Sequence, residues 1–147
     1  MTRFSIMIAT AAAVLLPTTG CGSFGDIWGI FQPSVTTVRL VNTNDTFSVH
    51  VELYYGDDQN TLEAILTAVG TKREITIEPN GVQTFTVDCD DLQAIIIDRA
   101  ALQIIAGIGP EADTGVYRDG TDFGCGDTLV FTFTGSLLDL DISFTQQ

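Results

Sequence analysis

From Val35 onward the apolar residues recur mostly at every second position, the period of a strand with one face in a core and one in water. Between Thr46 and Tyr55, the side chains of Phe47, Val49, Val51, Leu53 and Tyr55 share one face, and Ser48, His50, Glu52 and Tyr54 share the other. Leu138, Leu140, Ile142 and Phe144 repeat the pattern near the C-terminus, opposite Leu137, Asp139, Asp141 and Ser143. Leu129, Phe131 and Phe133 form a third inward row, and Ile75 and Ile77 alternate with Glu74, Thr76 and Glu78. Pro79-Asn80-Gly81 predicts a turn into a strand over Val82–Val87, and Gly135-Ser136 predicts a tight hairpin between the last two strands.

Asn60–Gly70 breaks this period. Leu62, Ile65, Leu66 and Val69 stand at i, i+3, i+4 and i+7, the spacing of one helical face. Asn60 and Glu63 offer a start resembling a capping box, and Gly70 suits the position just past the helix end. The isoleucine-rich run Leu92–Ile108 is long enough for a helix, but Arg99 and Gln103 would interrupt its apolar stripe. Two buried strands are the preferred reading there. The pattern as a whole predicts an antiparallel β-sandwich of seven or eight short strands with one short helix at about residues 60–70. It carries no information on strand order.

Ahead of this domain lies a different kind of segment. Met1-Thr2-Arg3 is a short positive start, and Phe4–Leu16 follows almost without polar interruption. That run is well short of the ~20 apolar residues needed to cross a bilayer and fits a cleavable signal peptide. It ends in Pro17-Thr18-Thr19-Gly20-Cys21, which resembles the lipobox of bacterial lipoproteins, with Thr18 standing where that family usually has Leu. The resemblance implies cleavage before Cys21, acylation of its thiol with fatty chains of the palmitate kind, and attachment to the membrane through that lipid. Gly22 follows the cysteine, rather than the Asp that retains some lipoproteins at the inner membrane, so the outer membrane is favoured where the cell has one. An ordinary secretory signal, leaving Cys21 unacylated, is the alternative.

The expected organisation is therefore a signal peptide at 1–20, a lipid-anchored tether at 21–34 and a β-sandwich domain at 35–147. Phe24, Ile27, Trp28, Ile30 and Phe31 in the tether suit packing on the domain and the lipid interface about equally well. Behind the tether, the mature part loosely resembles small acidic bacterial lipoproteins, a likeness that transfers no functional residue.

Charge removes several function classes. All 19 acidic residues follow the signal segment, against Arg39, Lys72, Arg73, Arg99 and Arg118. A surface this negative repels phosphate backbones and anionic headgroups, which excludes nucleic-acid binding and leaves membrane attachment to the lipid. Met1 and Met7 leave with the signal, and His50 is the single histidine, so copper, zinc, haem and iron–sulfur sites lack ligands. Oxygen donors are plentiful, and calcium is the one metal the composition permits.

With Cys21 acylated, Cys89 and Cys125 remain as a single possible disulfide in an oxidising compartment. Cys89 shares the parity of Phe85 and Val87, and Cys125 that of Leu129 and Phe131, so both sulfurs are expected to point towards the core. Asp127 shares that parity too, which requires a twist or bulge near Gly124 and Gly126. The disulfide would draw two acidic loops together: Asp88, Asp90 and Asp91 beside Asp119, Asp122 and Asp127. These six carboxylates are the candidate calcium cage. Ordinary turn chemistry, in which Asp and Gly simply favour loops, explains the same residues.

No nucleophile elbow occurs, and one outward-facing histidine makes no triad. The leading functional reading is a non-enzymatic envelope module that binds a protein or carbohydrate partner or serves a structural role. A calcium-dependent binding module and a small carboxylate-based hydrolase are the alternatives.

Overall fold

The computed structural model describes residues 34–104 and 109–147. The expected signal peptide, Cys21, nearly all of the tether and the end of the isoleucine run fall outside the described residues. In chain order the elements are β1 (Val35–Asn42), β2 (Ser48–Gly56), α1 (Glu63–Val69), β3 (Thr71–Ile77), β4 (Val82–Asp88), β5 (Ala94–Gln103), β6 (Glu111–Ala112), β7 (Tyr117–Arg118), β8 (Thr128–Ser136) and β9 (Asp139–Gln146). They form two sheets, one ordered β4-β1-β8-β9 and the other β3-β2-β5, with the short β6 and β7 both pairing with β5. Every pairing is antiparallel except that of β1 with β8, where Val38 lies opposite Leu129 in parallel register.

The period of two places the core where the pattern predicts. Along β2 burial alternates strictly, with Val49, Val51 and Leu53 inaccessible and His50, Glu52 and Tyr54 on the outer face. Val38 and Leu40 from β1, Ile95 and Ile97 from β5, and Leu129, Phe131 and Phe133 from β8 close the same core from both sheets. The sides of the sandwich are covered by aromatic contacts. Arg73 of β3 lays its guanidinium over the Phe85 ring of β4 at 4.4 Å. On the opposite side Tyr117 of β7 stacks on Phe144 of β9, ring centroids 4.0 Å apart, and meets Phe131 edge-on.

The expected turn at Pro79-Asn80-Gly81 is present, with Asn80 at φ 54° and the Gly81 N–H donating to the Glu78 carbonyl, and it carries the chain from β3 in one sheet to β4 in the other. Two expectations need correction. The tip of the last hairpin is Leu137-Leu138, because Gly135 and Ser136 still pair with Leu140 and Asp139 in the ladder. Leu138 is consequently 92% exposed instead of facing inward, and its N–H is held by the Ser136 hydroxyl. The described part of the isoleucine run is one ten-residue strand and not two. It stays continuous by bulging at Asp98, so that Glu52 faces Arg99 while Leu53 faces Ile97.

At one end of the sandwich a buried asparagine joins the sheets. Asn42, at the end of β1, shares its two amide hydrogens among the carbonyls of Phe47, Ile77 and Glu78 at 2.9, 3.2 and 3.1 Å. Its Oδ1 accepts the Asn44 N–H, and Asn44 in turn accepts the N–H groups of Thr46 and Phe47 and donates to the Gly135 carbonyl. The backbone adds two more links, from Asn42 N–H to Gly81 and from Asn80 N–H to Asn44. Two side chains thus bind the ends of β1, β2, β3 and β4 and the last hairpin into one unit.

At the other end Cys89 and Cys125 form the expected disulfide, with Cα atoms 5.4 Å apart. Cys89, just past the end of β4, is half-buried with its sulfur 3.7 Å from the hydroxyl of the buried Thr36 in β1, as its parity predicts, while Cys125, in the turn before β8, is exposed. Gly126 takes φ 94°, the irregularity that the inward parity of Asp127 required.

Two predictions follow from the two ends. Asn42→Leu strips donors from three carbonyls and an acceptor from one N–H, and is expected to cost about 3 kcal/mol or more in denaturant unfolding. Asn42→Asp keeps Oδ1 and loses only the donors, so it should cost a comparable amount; a loss below ~1 kcal/mol in both would show that the hub is dispensable. Non-reducing peptide mapping should yield a cross-linked Cys89–Cys125 pair. Reduction should lower the melting temperature by roughly 10–15 °C, the chain-entropy value of about 4 kcal/mol spread over a domain of this size.

Candidate functional site

The six aspartates proposed as a calcium cage are drawn to the same end by the disulfide, yet their side chains do not converge. Asp122 accepts the Arg118 N–H at 2.8 Å through Oδ2, which closes its own turn. Asp127 Oδ2 accepts both the Gly124 N–H and the Gln146 side-chain amide. Asp119 is held by its backbone, donating its N–H to the Gln93 carbonyl. Asp88 ends β4, and its carbonyl accepts the N–H groups of Asp91 and Leu92 in the turn that also contains Asp90. Among the described residues, no three His, Cys, Asp or Glu side chains converge as a metal site requires. Each acid that bonds through its side chain serves its own loop, as turn chemistry dictates.

The outer face of the β3-β2-β5 sheet holds the ion pairs. Lys72 Nζ lies 2.8 Å from Glu52 and 2.6 Å from Glu74, and Arg99 lies 3.7 Å from Glu52 and also pairs with Glu111. The strand register produces this, since Glu52 faces Glu74 across one ladder and Arg99 across the other. The hydrogen bond from Lys72 holds the Glu52 carboxyl below the usual range, with the Lys72 and Arg99 charges adding to it. A glycosidase acid needs the opposite, a carboxyl held protonated near neutral pH. His50, on this same face, hydrogen-bonds the Thr76 hydroxyl at 3.3 Å.

One concave feature among the described residues is one the sequence pattern did not single out. Helix α1 forms where the 3.6-residue spacing predicts, but without the expected cap: Leu62 is the N-cap and makes no side-chain bond, while Asn60 donates its N–H to Asp58 Oδ1. At the other end Gly70 is extended at φ −66°, not left-handed, and its N–H closes the helix on the Leu66 carbonyl. A Cβ there would stand 2.4 Å from the Leu66 carbonyl and 2.9 Å from that of Tyr55, so the chain turns too tightly for any side chain. Of the four-residue apolar stripe only Leu66 is buried, packed on Ala94 and Ile96 from the outer face of β5. Leu62, Ile65 and Val69 remain 66%, 50% and 80% exposed.

Between this helix and the end of β2 lies a cleft of about 450 Å³, within the range of ligand-binding pockets. Ile65, Val69 and Tyr55 line its apolar side, and Asp57, Asp58 and Asp91 its acidic side. Asp57 and Asp58 sit in the turn after β2, and Asp91 in the turn after β4. The two turns are joined by the Gln93 N–H, which donates to the Gly56 carbonyl. The sequence signal for this arrangement was an Asp-Asp turn directly ahead of a short apolar helix, which reads as an ordinary loop until the helix is seen to bury one side chain.

Calcium and chelator at fixed ionic strength are expected to give the same melting curve, since Asp122 and Asp127 already accept N–H donors and no three acidic side chains among the described residues converge. A rise of several degrees in millimolar calcium but not in magnesium would assign the loops a cage after all.

No family model and no curated protein matches this chain. Solved structures similar to it include the NMR structure of a protein from Eubacterium rectale, 12% identical, with a TM-score of 0.43 over 74% of this chain and 88% of that one. Another is the crystal structure of the T6SS lipoprotein TssJ1 from Pseudomonas aeruginosa, 11% identical, with a TM-score of 0.41 over 77% of this chain and 97% of that one. Likenesses this distant assign neither a function nor a site residue to this chain.

Proposed function

We propose that this chain is a lipid-anchored protein of the cell envelope, whose β-sandwich has a non-enzymatic role in binding a protein or carbohydrate partner or in holding structure. The single observation that carries the reading is the apolar segment Phe4–Leu16 ending in Gly20-Cys21. Two features of the folded part support it. No helix among the described residues is long and apolar enough to cross a membrane, and the mature chain's charge is strongly negative, so a membrane location calls for an acyl anchor. A disulfide suits export to an oxidising compartment. Gly22 favours the outer membrane where one exists.

The test is direct. Intact-mass analysis of protein extracted from membranes should find a chain beginning at Cys21 with added acyl mass. Cys21→Ser should accumulate unprocessed or appear in the soluble fraction. A mature N-terminus at any other residue, or a Cys21 free of lipid, overturns the proposal.

A further inference from the structure

The cleft beside α1 combines features that point to one class of occupant. Its helix side presents Ile65 and Val69, both half or more exposed, on a helix that has already satisfied its own packing through Leu66. Its loop side presents Asp57, Asp58 and Asp91. Among the described residues none of these three carboxylates takes part in an ion pair; the four pairs present join Lys72 and Arg99 to Glu52, Glu74 and Glu111. Arg118 of β7 donates an N–H to the Gln59 carbonyl and forms none of these four pairs. An apolar wall opposite three unpaired negative charges is complementary to a group that is both apolar and cationic. Anionic headgroups meet repulsion there, and neutral sugars leave the charges unanswered.

We infer that the α1 cleft is a docking site for a basic, partly apolar segment of a partner protein, whose aliphatic side chain packs on Ile65 and Val69 while its Lys or Arg is held by Asp57, Asp58 and Asp91. The inference rests on the binding reading proposed above and adds to it where the partner binds and what chemistry it has.

The probes are a short Arg/Val peptide and a Glu/Val peptide of equal length, titrated into methyl-labelled full-length protein in a nonionic detergent. The Arg/Val peptide should shift the methyl signals of Ile65 and Val69 before any others, weaken as salt is raised, and have no Glu/Val counterpart. Asp57→Asn with Asp91→Asn should reduce its affinity about tenfold, with the melting temperature unchanged. Asn keeps any Oδ1 acceptor, so the fold survives the substitution. Val69→Ser should reduce affinity independently of salt.

Equal shifts from both peptides, shifts scattered over the Asp119–Asp127 loop, or indifference to both substitutions would overturn the inference. So would relaxation of the Ile65 and Val69 methyls by spin-labelled lipid in anionic vesicles, which would make the membrane the occupant. Shifts that grow with protein concentration alone would make it a second copy of the chain. Because the peptide titration does not depend on acylation, its failure in a protein that carries lipid on Cys21 removes only the cleft assignment.

Discussion

The fold depends on a polar contact at the end of a hydrophobic sandwich. Two sheets packed face to face are held along their length by apolar burial, which is non-directional and does not by itself decide how strand ends meet. Asn42 supplies the direction. Being almost completely buried, its amide must be satisfied, and the carbonyls of Phe47, Ile77 and Glu78 are the acceptors that satisfy it. Those acceptors belong to the start of β2 and the end of β3, in the sheet that does not contain β1. The register between sheets is therefore specified at this point by hydrogen-bond geometry, and Asn44 extends the specification to the last hairpin through Gly135.

The opposite end is closed covalently. The disulfide ties the turn after β4 to the turn before β8, two strands that flank β1 on either side. With both ends fixed, the loops between them can carry charge without loosening the sandwich. That is where the acids have gone. Asp122 and Asp127 close turns, while Asp57, Asp58 and Asp91 stand around the cleft. Acidic residues in one protein thus do two physically different things: some close turns away from the cleft, and others line it without taking part in an ion pair.

Helix α1 shows the same division between structure and surface. Its single buried leucine covers Ala94 and Ile96, which explains why β5 is buried at four consecutive positions while β2 alternates. A seven-residue helix cannot bury a full stripe against one edge of a sheet. Of the three apolar residues left over, Ile65 and Val69 line the cleft, and an exposed apolar patch of this kind is where recognition is worth testing.

The alternation of apolar and polar residues determined the strands β2, β3, β8 and β9, their inward faces and the mostly β class, because a two-residue period has one meaning wherever one face must be buried. It also located α1, whose spacing fits no strand, and two cysteines in a chain read as exported admitted one disulfide. Other features were decided by contacts between residues far apart in sequence. Strand order, the parallel pairing of β1 with β8 and the crossing at Asn80 depend on which faces meet, and local pattern does not encode that. Asn42 and Asn44 read as loop residues until burial turns them into the hub. The stripe on α1 reads as core until the sheet beneath it proves to have room for Leu66 alone. The acidic loops read alike in sequence, and only the fold shows that Asp122 and Asp127 close their turns while Asp91 lines the cleft. In each case a residue type carries a local preference, and only the partners brought to it by the tertiary fold decide whether that preference is spent on packing, on a turn or on the surface.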